Sequence, residues 1–155
     1  MIHCCRKYGF LLALLLATHV CKAQIIARFT LLFPFDKFEI DANNSKVLDS
    51  AYASWKINPQ KIQLFGHTDA IGNDPYNDAL SIKRVAAAKH YFLSKGLALS
   101  NIIADSGLGK RRPLNNNAGP RERQLNRRVE VVLLKPEHTL IEKIYDTAIK
   151  NGSHI

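Results

Sequence analysis

Gly66-His67-Thr68-Asp69-Ala70-Ile71-Gly72, followed by Tyr76-Asn77-Asp78-Ala79-Leu80-Ser81-Ile82-Lys83-Arg84, is the stretch whose reading decides the fold. Lys61 to Phe65 before it is short and alternates Ile62 and Leu64 with Gln63, a strand pattern. Asp74-Pro75 after it predicts a helix start, with Asp74 as N-cap and Pro75 at the first helical position, where a missing donor is harmless. Asp69 then sits in a turn between strand and helix, framed by Gly66 and Gly72. Asn77, Leu80 and Arg84 are three and four residues apart and share one helical stripe, with Ser81 close by. A strand–turn–helix connection can bring Asp69 and Arg84 together. A carboxylate beside a guanidinium suits a small zwitterion, whose ammonium and carboxylate need opposite partners. The bland alternative is a rim ion pair that steadies the turn and contributes only about 0–1 kcal/mol.

Outward from this stretch the pattern continues. Ile25 to Phe33 is apolar and β-branched enough for a strand, closed at Phe33-Pro34-Phe35-Asp36 because Pro34 removes a ladder donor. Asn43 or Asn44 is the expected cap of a helix whose Val47, Leu48, Ala51, Tyr52 and Trp55 recur at helical spacing, with Asn58-Pro59 as its stop. Val85, Ala88 and Phe92 mark the buried face of the second helix, which Lys95-Gly96 ends. Ile102 to Ser106 is a third strand, Gly107 to Arg123 a long loop, and Arg127 to Leu134 the strongest strand. Leu140, Ile141, Ile144, Tyr145 and Ala148 suggest a last amphipathic helix. The order predicts an α/β sandwich, a small mixed sheet packed on helices.

The first 23 residues have the make-up of an export signal: Arg6 and Lys7, then the apolar run Phe10 to Ala17, then Cys21-Lys22-Ala23 with small residues where a signal peptidase reads. Cleavage is expected after Ala23. An uncleaved anchor and lipidation at Cys21 are the alternatives, although Thr18-His19-Val20 is not a usual lipobox. The expected division is residues 1–23 as signal, 24–134 as one domain, and 135–155 as a C-terminal extension. Cys4, Cys5 and Cys21 all lie in the first segment, so the domain has neither a disulfide framework nor a thiolate metal site. The chain has 22 Lys and Arg against 13 Asp and Glu, a net charge of +9. Removing Arg6, Lys7 and Lys22 leaves 19 against 13, about +6. That balance favours polyanions, and behind an export signal these are wall polymers or membrane surfaces more than nucleic acid.

The motifs together resemble the OmpA C-terminal-like family of peptidoglycan-binding domains, which includes OmpA, MotB and the peptidoglycan-associated lipoproteins. They are Phe33-Pro34-Phe35-Asp36, Gly66-His67-Thr68-Asp69 with Gly72, Tyr76-Asn77 with Leu80-Ser81 and Arg84, Gly107-Leu108-Gly109 with Pro113, and Arg123 with Asn126-Arg127-Arg128-Val129-Glu130. They appear in family order from about Leu32 to Leu134. The resemblance implies a non-catalytic module that holds the diaminopimelate of the peptidoglycan stem peptide. It implies that Asp69 accepts the ligand's ammonium and Arg84 binds its carboxylate. Asn77 and groups around Phe35, Asp36 and Thr68 complete the pocket, Leu80 lines it, and Arg127 holds a second carboxylate at its edge. It further implies a place in the periplasm, beside outer membrane and wall, with an envelope protein as a further partner. Pro34 departs from the polar or acidic residue many relatives carry, and Glu122 from a common glycine.

Two other classes stay open on residues alone. An envelope hydrolase would need a metal or a carboxylate pair. His67 lies near Asp69, but His90, His138 and His154 show no ligand spacing, and a structural histidine is the expectation. A phosphate- or nucleic-acid-binding domain would use Arg111, Arg112, Arg121, Arg123, Arg127 and Arg128. Their loop has no aromatic for base stacking. No cofactor is expected.

Overall fold

The computed structural model describes residues 24–57 and 60–135. The export signal, the Asn58-Pro59 stop and the C-terminal helix expected from the sequence lie outside the described residues. Four strands form one mixed sheet: β1 (Ile25–Leu32), β2 (Lys61–Gly66), β3 (Ile102–Gly107) and β4 (Arg128–Leu134), in the order β1-β4-β2-β3. β4, last in sequence, enters between β1 and β2 and runs antiparallel to both, while β2 and β3 are parallel. Parallel neighbours need a crossover, and α2 (Asp74–Ser94) supplies it. With α1 (Ala42–Ile57) it covers one face of the sheet. Leu48 and Ala51 of α1 and Val85, Ala88 and Phe92 of α2 close on Leu31, Ile62, Leu64, Val129, Val131 and Leu133.

The helix starts differ from the sequence reading by one to three residues. Asp41, outside α1, is its cap: its Oδ1 accepts from Asn44 N at 2.7 Å. Asn44 does something else. Its amide accepts from Leu32 N (3.2 Å) and donates to Leu32 O (3.0 Å), giving the last residue of β1 the partners a sheet edge would otherwise lack. For α2 the cap is Asn73, not Asp74, and its side chain accepts from Tyr76 N at 2.9 Å. Asp74 thus falls in the first turn, where a negative charge meets the positive end of the helix dipole. The expected loop 107–123 hides a third helix, α3 (Pro120–Asn126). Gly119 followed by Pro120 is an N-cap and first-position pair that marks its start.

Two glycines let α2 lie close on the parallel strands. A Cβ on Gly66 would meet the Ser81 carbonyl and stand 2.8 Å from Val85 Cγ2. One on Gly107 would stand 2.6 Å from both Ile82 N and Ser81 Oγ. The main-chain atoms of α2 cannot move without moving the helix. Gly66→Ala should therefore destabilise the domain by about 1–3 kcal/mol, the range for overpacking, measurable as a lower urea midpoint at unchanged slope.

Candidate functional site

The turn after β2 is held from three sides. His67 N donates to Arg128 O at 2.8 Å, Thr68 N to Gly109 O at 2.9 Å, and Ala70 N to Asn117 Oδ1 at 3.1 Å. Asn117, at φ 60°, is itself fixed by Asn126 Nδ2 at 2.7 Å, and Asn126 is fully buried. Asn115 and Asn117 of the loop and Asn126 at the end of α3 thus tie that loop to the Asp69 turn. Asn77 secures the far side, where its Nδ2 donates to Ile71 O (2.9 Å) and Asn73 O (3.1 Å).

All eight residues expected from the sequence line one small concavity: Phe35, Asp36, Thr68, Asp69, Asn77, Leu80, Arg84 and Arg127. Ile71 and Tyr76 line it too and were missed, although both lie inside the decisive stretch. The internal pairing differs from the expected one. Arg84, fully buried, makes no hydrogen bond to Asp69. Its Nε donates to Lys37 O (2.8 Å), Nη1 to His67 O (2.9 Å) and Nη2 to Pro34 O (3.3 Å). Its guanidinium also lies 5.1 Å from the centre of the Phe33 ring. Asp69 pairs instead with Arg127, whose Nη1 reaches Oδ2 at 2.9 Å, while Oδ1 accepts from Ile71 N at 3.1 Å. Arg127 is anchored by Nε on Phe33 O (3.1 Å) and by Nη2 on Gln124. Gln124 belongs to α3, so the unforeseen helix positions this arginine.

A consequence is that Arg84 cannot be truncated without disturbing the fold. Three main-chain carbonyls would lose their donor, and for that of His67, which is buried, this costs about 1–3 kcal/mol. Burial pushes the Arg84 guanidinium down to about 10, helped by the charge of Arg127 and opposed by Asp69 and Asp36. It stays charged at neutral pH. A guanidinium has five N–H donors, and three serve the fold, so two remain to meet an anion. Thr68 contributes differently from expectation as well. Its N–H is taken, but its buried hydroxyl has no hydrogen-bond partner within the domain.

The cavity volume is about 10 Å³, room for roughly one water. The tip of the 33–37 loop leans over it. Tyr76 OH hydrogen-bonds Asp36, which is held at φ 56°. Phe35, Tyr76 and Ile71, each about half exposed, make an apolar rim round a polar pit. Arg84 and Arg127 pin the base of this loop, so the Tyr76–Asp36 contact is where it can open. A larger groove of about 430 Å³ between α2 and β3 holds only the Lys89–Asp105 pair (2.6 Å) and no converging polar groups. Among the described residues no three His, Cys, Asp or Glu side chains come together to hold a metal, and no helix is long and apolar enough to cross a membrane.

The fold is a small α/β domain whose pit gathers two carboxylates, Asp36 and Asp69, and two guanidiniums, Arg84 and Arg127. The chain belongs to the OmpA family, whose model matches residues 32–127. It is 34% identical over 113 residues to outer membrane protein A of Bordetella avium, covering 72% of this chain and 58% of that one. It is 36% identical over 110 residues to outer membrane porin F of Pseudomonas fluorescens, covering 70% of this chain and 33% of the porin. The chain therefore spans only part of the length of these relatives. Among solved structures, the peptidoglycan-associated lipoprotein of Burkholderia pseudomallei superposes with a TM-score of 0.64 at 25% identity, covering 68% of this chain and 89% of that one. The OmpA-like domain of FopA1 from Francisella tularensis gives 0.62 at 26%, covering 74% and 80%.

His67 is the residue here with a pH signature. It is buried, neither ring nitrogen has a hydrogen-bond partner, and Nε2 stays 3.7 Å from Glu130, too long for a bond. Burial, followed by the charge of Arg128, pushes its imidazole down to about 4. The unfolded chain then binds the proton first. Stability is full above pH 6.5 and falls as the pH drops from 6.5 to 4, by about 3 kcal/mol at most. Urea unfolding across that window should show the slope, and His67→Gln should flatten it.

Proposed function

We propose that this chain is an exported, non-catalytic module that holds peptidoglycan by its stem peptide and tethers the envelope to the wall. Its ligand group is the free amino-acid end of diaminopimelate. Asp69 takes the ammonium, with Thr68 Oγ1 beside it. The two spare Arg84 donors take the carboxylate, and Arg127, at the edge of the pit, meets a second acidic group. Phe35, Asp36, Asn77 and Leu80 shape the walls. The domain would work in the periplasm, against outer membrane and wall, with an envelope protein as a further partner.

One observation carries this reading: a buried guanidinium whose hydrogen bonds all go to neutral carbonyls, 2.8 to 3.3 Å away, inside a pit that also holds a buried carboxylate. Arg84, Arg127, Asp69 and Asp36 balance to zero round the pit, so a zwitterion enters without changing the net charge of the site. Kinship supports it too, since one solved relative is a peptidoglycan-associated lipoprotein and curated relatives are outer membrane proteins.

Nucleic acid fits less well, because the basic loop is largely paired within the domain. Arg111 forks onto Asp78, and Lys110 lies 2.9 Å from Asp74.

Co-sedimentation with diaminopimelate-type sacculi tests the proposal. The parent should pellet and free diaminopimelate should release it. Asp69→Asn keeps the size and the acceptor from Ile71 but removes the charge. It should weaken binding roughly 10–100-fold, the worth of one to two charge-assisted bonds. Equal pelleting of both proteins, reversed by salt alone, would assign the binding to the basic surface and refute the clamp. Failure of the parent to pellet would refute the wall ligand itself.

A further inference from the structure

We infer that Gln124 makes the pit selective for a ligand with a second acidic group, because it holds Arg127 in place through a neutral oxygen. The inference deepens the reading above and rests on it. Gln124 does not line the pit. It stands on α3, three residues before Arg127, a spacing at which side chains meet on a helix. Arg127 Nη2 donates to Gln124 Oε1, and Gln124 Nε2 donates to Phe33 O at 3.0 Å. Phe33 O also accepts from Arg127 Nε at 3.1 Å. Gln124 thus links the arginine to the base of the 33–37 loop. The end of α3 is itself fixed, since Asn126 Oδ1 accepts from Leu114 N and Asn126 Nδ2 donates to Asn117 Oδ1, both at 2.7 Å.

The Arg127 guanidinium is therefore held at all three nitrogens: Nε by Phe33 O, Nη1 by Asp69 at 2.9 Å, and Nη2 by Gln124. A planar fork held at three corners keeps its direction. Two of its five N–H donors are left for a ligand.

Charge then sets the selectivity. Among the described residues, Asp69 is the one carboxylate that bonds Arg127. A ligand ammonium that takes Asp69 competes with Arg127 for that acid, and two cations come to share one carboxylate. Gln124 is neutral and offsets none of the excess. A second acidic group on the ligand offsets it, through the two remaining Arg127 donors. A ligand without one leaves Arg127 short of an anion.

Amide NMR titration of the full chain with free meso-diaminopimelate and with each enantiomer of lysine tests this. Lysine is the same chain short of one carboxylate, and both ligands carry two ammonium groups. The parent should bind diaminopimelate about 10-fold or more tightly than either lysine, the worth of one charge-assisted bond. Gln124→Glu gives Arg127 a carboxylate from its own chain. It should cut the preference to about threefold or less, the range of a screened surface pair, by weakening diaminopimelate alone. The variant keeps the Oε1 acceptor, and Phe33 O keeps its bond from Arg127. Arg121→Gln makes the same change in net charge on an exposed residue of α3 and should keep the full preference.

An unchanged preference in Gln124→Glu overturns the inference, and so does an equal fall in Arg121→Gln. A Gln124→Glu protein that loses affinity for all ligands alike also overturns it, because that marks a merely structural role. A parent that binds diaminopimelate and lysine equally overturns it while the Asp69–Arg84 clamp stands. A parent that binds neither refutes the clamp, and this inference with it. If Gln124→Glu lacks a cooperative unfolding transition, Gln124→Asp brings the charge instead.

Discussion

The burial of the Arg84 guanidinium among main-chain carbonyls is the interaction on which the rest of this domain depends. It gathers Pro34 O and Lys37 O from the loop after β1 and His67 O from the turn after β2. Those segments lie far apart in sequence, and Arg127 joins them a second time through Phe33 O and Asp69. An isolated buried charge is costly. Here carbonyl dipoles, the Phe33 ring and the nearby carboxylates of Asp69 and Asp36 offset the cost. None of these partners is a directly bonded anion. The side chain is therefore structural and, at the same time, still able to meet a negatively charged ligand.

Arg127, just before β4 and at the same end of the sheet, completes the arrangement. It reaches Asp69 because β4 enters between β1 and β2, 58 residues after the acid. Asp69 is thus pre-organised by an ion pair and by Ile71 N, so little side-chain ordering remains to be done on binding. The same arrangement explains why the cavity is almost closed while the charges stay in place. The pinned base of the 33–37 loop keeps the polar groups aligned, and its tip carries the Tyr76–Asp36 contact.

Much of this was legible in the sequence, for physical reasons. Periodicity disclosed β2, α2 and β4, because a buried face forces a regular apolar pattern. The stripe Asn77–Leu80–Arg84 disclosed which side of α2 faces the turn. Less was legible where tertiary contacts decide. Nothing local distinguishes Asp41 from Asn43 as a cap until Asn44 is seen reaching for Leu32. The choice of Arg127 as the partner of Asp69 follows from strand order, which no short window contains. Helix α3 was passed over because its polar sequence, Arg121-Glu122-Arg123-Gln124, has no apolar stripe. Gly119-Pro120 was its only clear signal. The loop arginines looked free in sequence, yet Arg111 is neutralised by Asp78, itself held low by that pairing.

Whether Arg84 serves fold and ligand together is decided by a structure of the domain with diaminopimelate bound. The ligand carboxylate is expected on the Arg84 Nη atoms and its ammonium on Asp69. The bonds from Arg84 to Pro34, Lys37 and His67 should stay intact, and Tyr76 should be parted from Asp36. A ligand seated on the Lys110–Arg112 loop, or an Arg84 that abandons its carbonyls to reach the ligand, would contradict it.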